Sequence, residues 1–513
     1  MKFKRSSGVL LHPTSLPGRF GVGDLGAAAF KFVDWLADAG QTFWQIMPLG
    51  PTGYGDSPYS SLSAFAGNTL LVSPEHLAER GLLTEDDLRD APAAAASADR
   101  VDYGRVIEHK RALLEKAYAK FKSGPDAGER GDYDGFLQYA SSWLDDYALF
   151  AALRDKHNGE SWHTWEVGVA RREEGALARS REELRERVEA HKFFQYLFFE
   201  QWLRLKAHAR SRGVWVVGDM PIFVAHNSAD VWARPHLFKL EEDGRPSAVA
   251  GVPPDAFSKT GQLWGNPVYD WDRMKSEGFA WWAERVRETL KLVDVLRLDH
   301  FRGFASYWEV PAGHETAERG RWVDAPGREL FRALKDANAG GELPIISEDL
   351  GTITPDVHAL RDEFGFPGMR VLQFAFGGDP RDTHLPHNYT RNSVVYTGTH
   401  DNDTTLGWLR ARSEESAGGD EGLRRERANC LKYLDTDGAE IHWDFIRAAH
   451  ASVADISIVP LQDVLGLGSD ARMNIPASAE GNWAWRFREG ALTDALRDRL
   501  REMTETYGRL PTQ

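Results

Sequence analysis

Four segments of this 513-residue chain run an apolar stretch into carboxylates, and these are the places where its residue types could do chemistry. In Val293-Asp294-Val295-Leu296-Arg297-Leu298-Asp299-His300, side chains of an extended strand alternate sides, so Val293, Val295, Arg297 and Asp299 share one face. Two apolar residues followed by Arg and Asp describe a strand that starts in a core and ends at a polar mouth. There the Arg297 guanidinium would keep Asp299 ionised and oriented, the state a nucleophilic carboxylate needs. The competing reading is a structural ion pair at the rim of a sheet. Leu343-Pro344-Ile345-Ile346-Ser347-Glu348-Asp349-Leu350-Gly351 drives a buried strand straight into two acids. Glu348 suits a proton donor if burial raises its pKa, and Asp349 suits the cap of the helix that follows. Val394-Val395-Tyr396-Thr397-Gly398-Thr399-His400-Asp401-Asn402-Asp403 repeats the arrangement, and Val214-Trp215-Val216-Val217-Gly218-Asp219 is a fourth case.

A lone acid at a strand end is usually structural, but four at the same end of one sheet point to function. Carboxylates without a Cys/His ligand set fit glycoside chemistry better than zinc chemistry. Retaining enzymes of that kind need a nucleophile and an acid/base about 5–5.5 Å apart. The chain shows no Ser nucleophile elbow and no phosphate-binding P-loop.

The elements that must position these acids are short apolar runs bounded by turn residues, at 8–11, 42–47, 214–218, 293–298, 343–347, 369–375, 394–399 and 456–461. Strands alternating with helices argue for a parallel sheet, and eight of them for a closed (β/α)8 TIM barrel, an α/β fold whose site lies at the C-terminal strand ends. An open doubly wound sheet is disfavoured, because no Gly-rich dinucleotide fingerprint follows the first strand. The expectation is a single catalytic barrel over 1–513. A mainly helical insertion fills about 50–210 between strands two and three, since that gap far exceeds one crossover helix. Helix-like stretches fall at 106–122, 135–154 and 182–210, and the Ala tract at 93–96 reads as a surface linker. A second long connection, 220–272, carries Phe223, Trp232, Phe257, Trp264 and Tyr269, which favours an ordered, functional loop.

A hydrophobic content of 42% supports a large core, and a net charge of −15 argues against nucleic acid and for a neutral or cationic small substrate. The single cysteine, Cys430, closes no intrachain disulfide and is read as a small packed residue or a surface bystander. The N-terminal apolar run Val9-Leu10-Leu11 is too short for a signal-peptide core, and no stretch of about 18 apolar residues suggests a membrane span, so a cytoplasmic protein is expected. Of the 18 tryptophans, Trp35, Trp202, Trp281 and Trp282 lie in helical stretches and read as packing. Trp264, in a glycine-flanked loop, reads as a substrate contact. His191 and His208 read as flanks of a core helix.

Arg297-Leu298-Asp299-His300-Phe301-Arg302-Gly303, Ser347-Glu348-Asp349-Leu350-Gly351 and Thr397-Gly398-Thr399-His400-Asp401-Asn402-Asp403-Thr404 closely resemble the signature regions of the 4-α-glucanotransferases, or amylomaltases, glycoside hydrolase family 77 of the α-amylase clan. The likeness extends to His12-Pro13-Thr14-Ser15-Leu16-Pro17-Gly18, Tyr54-Gly55-Asp56-Ser57-Pro58-Tyr59, Gly218-Asp219-Met220-Pro221, Gly251-Val252-Pro253-Pro254-Asp255, Leu263-Trp264-Gly265-Asn266-Pro267 and Arg472-Met473-Asn474-Ile475-Pro476. It therefore spans nearly the whole chain. The resemblance implies Asp299 as nucleophile, Glu348 as general acid/base and Asp401 as transition-state stabiliser, after the fourth, fifth and seventh strands. It further implies Asp219, Arg297 and His400 around the sugar at the cut bond and Tyr59 stacked beneath it. Asp255, Gln262 and Trp264 would lie in a lid, with Asn474 a further substrate contact. The expected substrates are α-1,4-glucans (maltooligosaccharides, starch or glycogen fragments) with glucose as an acceptor. No cofactor, metal, nucleic acid or membrane partner is expected. A plain α-glucan hydrolase and a catalytically silent glucan-binding protein are the rival readings, and the intact acid set speaks against the second.

Overall fold

The computed structural model describes residues 3–89, 99–124, 131–254, 258–338, 340–413, 418, 420–476, 478 and 480–511. Eight parallel strands close into a barrel: β1 (Ser6–Leu10), β2 (Phe43–Gln45), β3 (Trp215–Pro221), β6 (Val295–Asp299), β9 (Ile345–Ser347), β10 (Gly368–Val371), β11 (Ser393–Tyr396) and β12 (Ile456–Pro460). Each of the eight apolar runs overlaps one of them, and those at 42–47, 343–347 and 456–461 contain theirs whole. The run at 369–375 overreaches, because after Val371 the chain turns into a 3-10 helix, Leu372–Gly377, that ends at left-handed Gly378.

Between β2 and β3 lie the helices Tyr103–Ser123, Tyr133–Tyr139, Leu144–Lys156 and Arg185–Ser211, among shorter ones. The stretch read as one helix at 135–154 is two, broken at Ala140–Trp143. Trp143 leaves helical geometry to bury its ring against Phe65 and Phe199, and Asp145 and Asp146 favour a fresh N-terminus. Helix Arg185–Ser211 steadies the loop after β2. The Gln195 amide accepts from Gly67 N at 2.7 Å and donates to Gly67 O at 3.0 Å, and Gln201 Oε1 accepts from Ser73 N at 2.7 Å. At Gly67 any Cβ would strike the Phe198 ring, so the loop lies flat on the helix only as glycine. That loop carries Tyr59. The Ala tract at 93–96 falls outside the described residues.

Strands β4 (Ala248–Val252), β5 (Gln262–Pro267), β7 (Ser306–Pro311) and β8 (Arg321–Asp324) form a separate antiparallel sheet in the order β5-β4-β7-β8. The sequence reading holds 220–272 as a loop; the structure instead builds a hairpin there and pairs it with strands from beyond β6. A register shift between Val249 and Gly251, with Gly265 at φ +78°, obscures the two-residue period that would have marked these strands. His191 and His208 turn out to pair with Asp155 and Asp34. Trp35, Trp202, Trp281, Trp282 and Cys430 are buried.

Candidate active site

The barrel interior is filled by apolar side chains that include Val217, Val295, Ile346, Met369, Val394 and Ile458. Two residues further along the same strand faces come Asp219, Arg297 and Glu348, and Asp299 follows Arg297 on that face. Alternation therefore carries β3, β6 and β9 from an apolar plug to a polar mouth. Gln45 and Tyr396 floor the mouth, the Tyr396 hydroxyl donating to Gln45 Oε1 at 2.8 Å.

Arg297 is buried and holds two acids at once. Its Nη1 donates to Asp219 Oδ1 and Oδ2 at 2.7 and 2.6 Å, and its Nη2 lies 3.0 Å from Asp299 Oδ1. Burial opposes the guanidinium charge, but Asp219 and Asp299 outweigh it and raise the pKa well above the ordinary arginine range. The cation thus keeps Asp299 oriented toward the cavity, and the structural-pair and functional readings of this contact are compatible. Asp299 remains partly open, with its side chain 29% exposed. Tyr59 donates its hydroxyl to Asp219 Oδ2 at 2.8 Å, and its ring stacks on His400 with centroids 5.0 Å apart. Burial, and then the Asp219 charge, raise the phenol pKa, so Tyr59 stays a donor.

Glu348 follows β9 and is oriented by two backbone amides: His300 N to Oε2 at 2.6 Å and Leu350 N to Oε1 at 2.9 Å. His300 can aim its amide there because it adopts the left-handed region, φ +53°, a conformation that costs a non-glycine residue free energy and recurs at functional sites. Burial, reinforced by the Asp299 charge, raises the Glu348 carboxyl from 4.5 to about 8. Asp349, expected as a helix cap, instead ties strand to helix. It accepts from Met369 N at 2.7 Å and from Arg361 Nη1 at 2.5 Å, while helix Pro355–Phe364 has no side-chain cap. A carboxylate with a guanidinium and a strand amide in reach satisfies more of its acceptor capacity there than one capping bond would.

On the other wall, Asp401 is half open. Its Oδ1 accepts from Asn474 Nδ2 at 2.6 Å and lies 3.4 Å from His400 Nε2, and Arg472 Nη2 donates to its carbonyl at 2.7 Å. Asn474 N also donates to His400 O at 3.1 Å. Trp264 stands on β5, its ring edge-on to His300 with centroids 4.7 Å apart and its Nε1 donating to Gln262 Oε1 at 3.2 Å. Tyr59, Asp219, Gln262, Trp264, Arg297, Asp299, Glu348, His400, Asp401 and Asn474 are thereby linked into one contiguous mouth. Tyr59 joins the Asp219 side to the His400 side. Asp255 lies outside the described residues.

Sequence reasoning passed over three residues at this mouth. His300 is neutral, its pKa lowered to about 4 by burial, and it joins Trp264, through its ring, to Glu348, through its backbone amide. Trp483 packs on both Tyr59 and His400, and the aromatic-rich Asn482-Trp483-Ala484-Trp485 was its available signal. His12, at the end of β1, is lowered to about 3 by burial and then by His400, so it backs that wall as a neutral ring. Among the described residues no group of three or more His, Cys, Asp or Glu side chains is placed to hold a metal ion, and no helix is long and apolar enough to cross a membrane.

A closed parallel barrel with acids at the C-terminal ends of its fourth, fifth and seventh strands, linked through Arg, Tyr and His, has the architecture of a carboxylate-based glycosyl-transferring enzyme. The family model of glycoside hydrolase family 77, 4-alpha-glucanotransferase, matches residues 11–493, and the chain belongs to this family. It is 52% identical to a 4-alpha-glucanotransferase of Synechocystis, covering 99% of this chain and 98% of that one. It is 48% identical to a 4-alpha-glucanotransferase of Thermus thermophilus, covering 99% and 100%. The fold superposes on the amylomaltase from Streptococcus agalactiae in complex with acarbose with a TM-score of 0.93 at 40% identity, covering 99% of this chain and 100% of that one.

Proposed function

We propose that this chain transfers segments of α-1,4-glucans to the 4-hydroxyl of an acceptor glucan or glucose by a retaining double displacement. Family membership supports the activity class, and the state of Glu348 supports the assignment of roles. It is a carboxyl held at about 8 next to an Asp299 that Arg297 keeps oriented, so one acid is ready to give a proton while the other attacks. In the first step an Asp299 oxygen bonds to the anomeric carbon, the bond to the departing 4-oxygen breaks, and that oxygen takes the Glu348 proton. In the second step an acceptor 4-hydroxyl gives its proton to Glu348, its oxygen bonds to the anomeric carbon, and Asp299 leaves. Positive charge grows at the anomeric carbon in both transition states, where Asp401 and His400 grip sugar hydroxyls more tightly than in the ground state. Tyr59, Asp219 and Arg297 seat the sugar ring. Gln262, Trp264, Asp255 and Asn474 extend the contacts, with Trp264 as part of the lid over the donor.

Water in place of the acceptor would make the enzyme a hydrolase. Trp264, 37% exposed over His300, supports transfer, since an apolar wall beside the intermediate excludes water while leaving room for a sugar. The chain acts as one catalytic unit, with the helical insertion and the hairpin sheet as parts of the same site. A lone, buried, unpaired Cys430 is in keeping with a reducing, cytoplasmic setting. Incubation with maltotriose tests the proposal: the expected products are glucose together with maltooligosaccharides longer than the donor. Asp299→Asn should abolish both while keeping a native melting transition. Glucose and maltose without longer products would establish the hydrolase instead, and near-normal turnover of Asp299→Asn would remove Asp299 from the mechanism.

A further inference from the structure

Asp401 and His400 are carried by the 397–405 loop that leaves β11, and both ends of this loop meet on one carboxylate. Asp463 lies just past β12 in the short helix Leu461–Val464 and is 1% exposed. Its Oδ2 accepts from Thr397 Oγ1 at 2.5 Å and from Thr405 Oγ1 at 2.8 Å, and its Oδ1 accepts from Thr405 N at 2.7 Å. All three partners are neutral, and burial raises its pKa above the ordinary aspartate range against their pull.

The loop above this clamp is stiff. Asn402 Oδ1 accepts from both Thr399 N and Thr399 Oγ1 at 2.9 Å. Gln373 Nε2 donates to Asp403 O at 2.7 Å, and Ser469 Oγ donates to Asp403 Oδ2 at 2.7 Å. A stiff loop gripped at its base moves as a body, so a shift at Thr397 or Thr405 is transmitted to Asp401. A carboxylate buried at this cost in desolvation is retained where its geometry is needed.

We propose that Asp463 is a positioning residue for glucan transfer: by holding Thr397 and Thr405 together it sets where Asp401 meets the sugar, although it touches no substrate itself. This rests on the role given to Asp401 above. The competing account is that Asp463 only stabilises the N-terminus of helix Thr405–Ala411, where Thr405 N is otherwise unsatisfied.

The two are separated by a double-mutant cycle on the full chain, with maltotriosyl fluoride as a donor reactive enough to measure impaired variants. Misplacing a catalytic group by about 1 Å costs on the order of 10²-fold, so Asp463→Ala should lower kcat about 10–100-fold while leaving KM within about threefold. Asp463→Asn should restore most of the rate. Its amide oxygen can still meet Thr405 N, and its NH2 can donate to the two hydroxyls once they rotate. In an Asp401→Asn background Asp463→Ala should cost less than about threefold more, because the group it positions is already disabled. A full additive loss in that background overturns the proposal. So does a loss in Asp463→Asn as large as in Asp463→Ala at equal melting temperature. Should Asp463→Ala fail to fold, the Thr397→Val and Thr405→Val pair loosens the same clamp and faces the same cycle. Near-normal turnover of the Asp401→Asn single variant would instead overturn the role of Asp401 and leave the fold contacts of Asp463 as they are.

Discussion

Replacing Glu348 with Gln removes the one proton that the site is built to hold. At pH 7 a carboxyl with a pKa of about 8 is about 90% protonated, whereas one at 4.5 would be about 0.3% protonated, so its surroundings raise the fraction of competent acid roughly 300-fold. Glu348→Gln should therefore lose about 10²–10⁴-fold with maltooligosaccharide donors, whose departing alkoxide needs the proton. With maltosyl fluoride the first step should be nearly as fast as in the native enzyme, because fluoride leaves without protonation. The glycosyl-enzyme should then accumulate, since Gln cannot take the proton of an acceptor hydroxyl. Azide, which has no proton to lose, should release it as a glycosyl azide. The native kcat/KM should fall on the alkaline side of about pH 8, and the fluoride reaction of the variant should lack this limb. Stability should move the other way. The folded-state pKa lies above the unfolded one, so Glu348 favours folding below about pH 4.5, and that contribution is lost as pH rises toward about 8. Glu348→Gln should thus melt higher than the native protein at pH 8 and no higher at pH 4. Equal losses with glucan and fluoride donors, or an alkaline limb that survives in the variant, would refute the acid/base assignment.

Trp264→Ala should raise the ratio of hydrolysis to transfer and lower turnover with little change in melting temperature, because its ring is partly exposed and touches His300 rather than the core; an unchanged ratio with a large drop in melting temperature would show a packing role instead. Arg297→Met leaves the buried Asp219 without its cation and should cost about 3–5 kcal/mol in urea unfolding as well as activity, and a variant as stable as the native protein would mean that the pair is not energetically engaged. Prolonged dialysis against EDTA should leave the transfer rate unchanged, while a loss restored by calcium or zinc would reveal a ligand set outside the acid cluster.

The barrel and its acids were legible in the sequence because both are local. Two-residue alternation ending in Arg297, Asp299 and Glu348 reports strand, face and polar mouth from a few neighbouring residues, and Asp401 follows its strand within the next loop. Local pattern also misled in places. Ala140–Trp143 looked like mid-helix until Trp143 found Phe65 and Phe199 across the insertion, and Asp349 looked like a cap until Arg361 and Met369 N came within reach.

What the tertiary structure alone decided are the properties that depend on distant segments meeting. Tyr59 reaches Asp219 and His400 only because helix Arg185–Ser211 pins its loop. Trp264 faces His300 only because β5 pairs with β4, and β4 in turn pairs with β7 from beyond β6. Glu348 becomes an acid at neutral pH through burial and the nearby Asp299 charge, neither of which its sequence neighbours determine. Residue type and strand alternation are encoded within a few positions of the chain, whereas desolvation and charge proximity exist only once remote segments exclude water together.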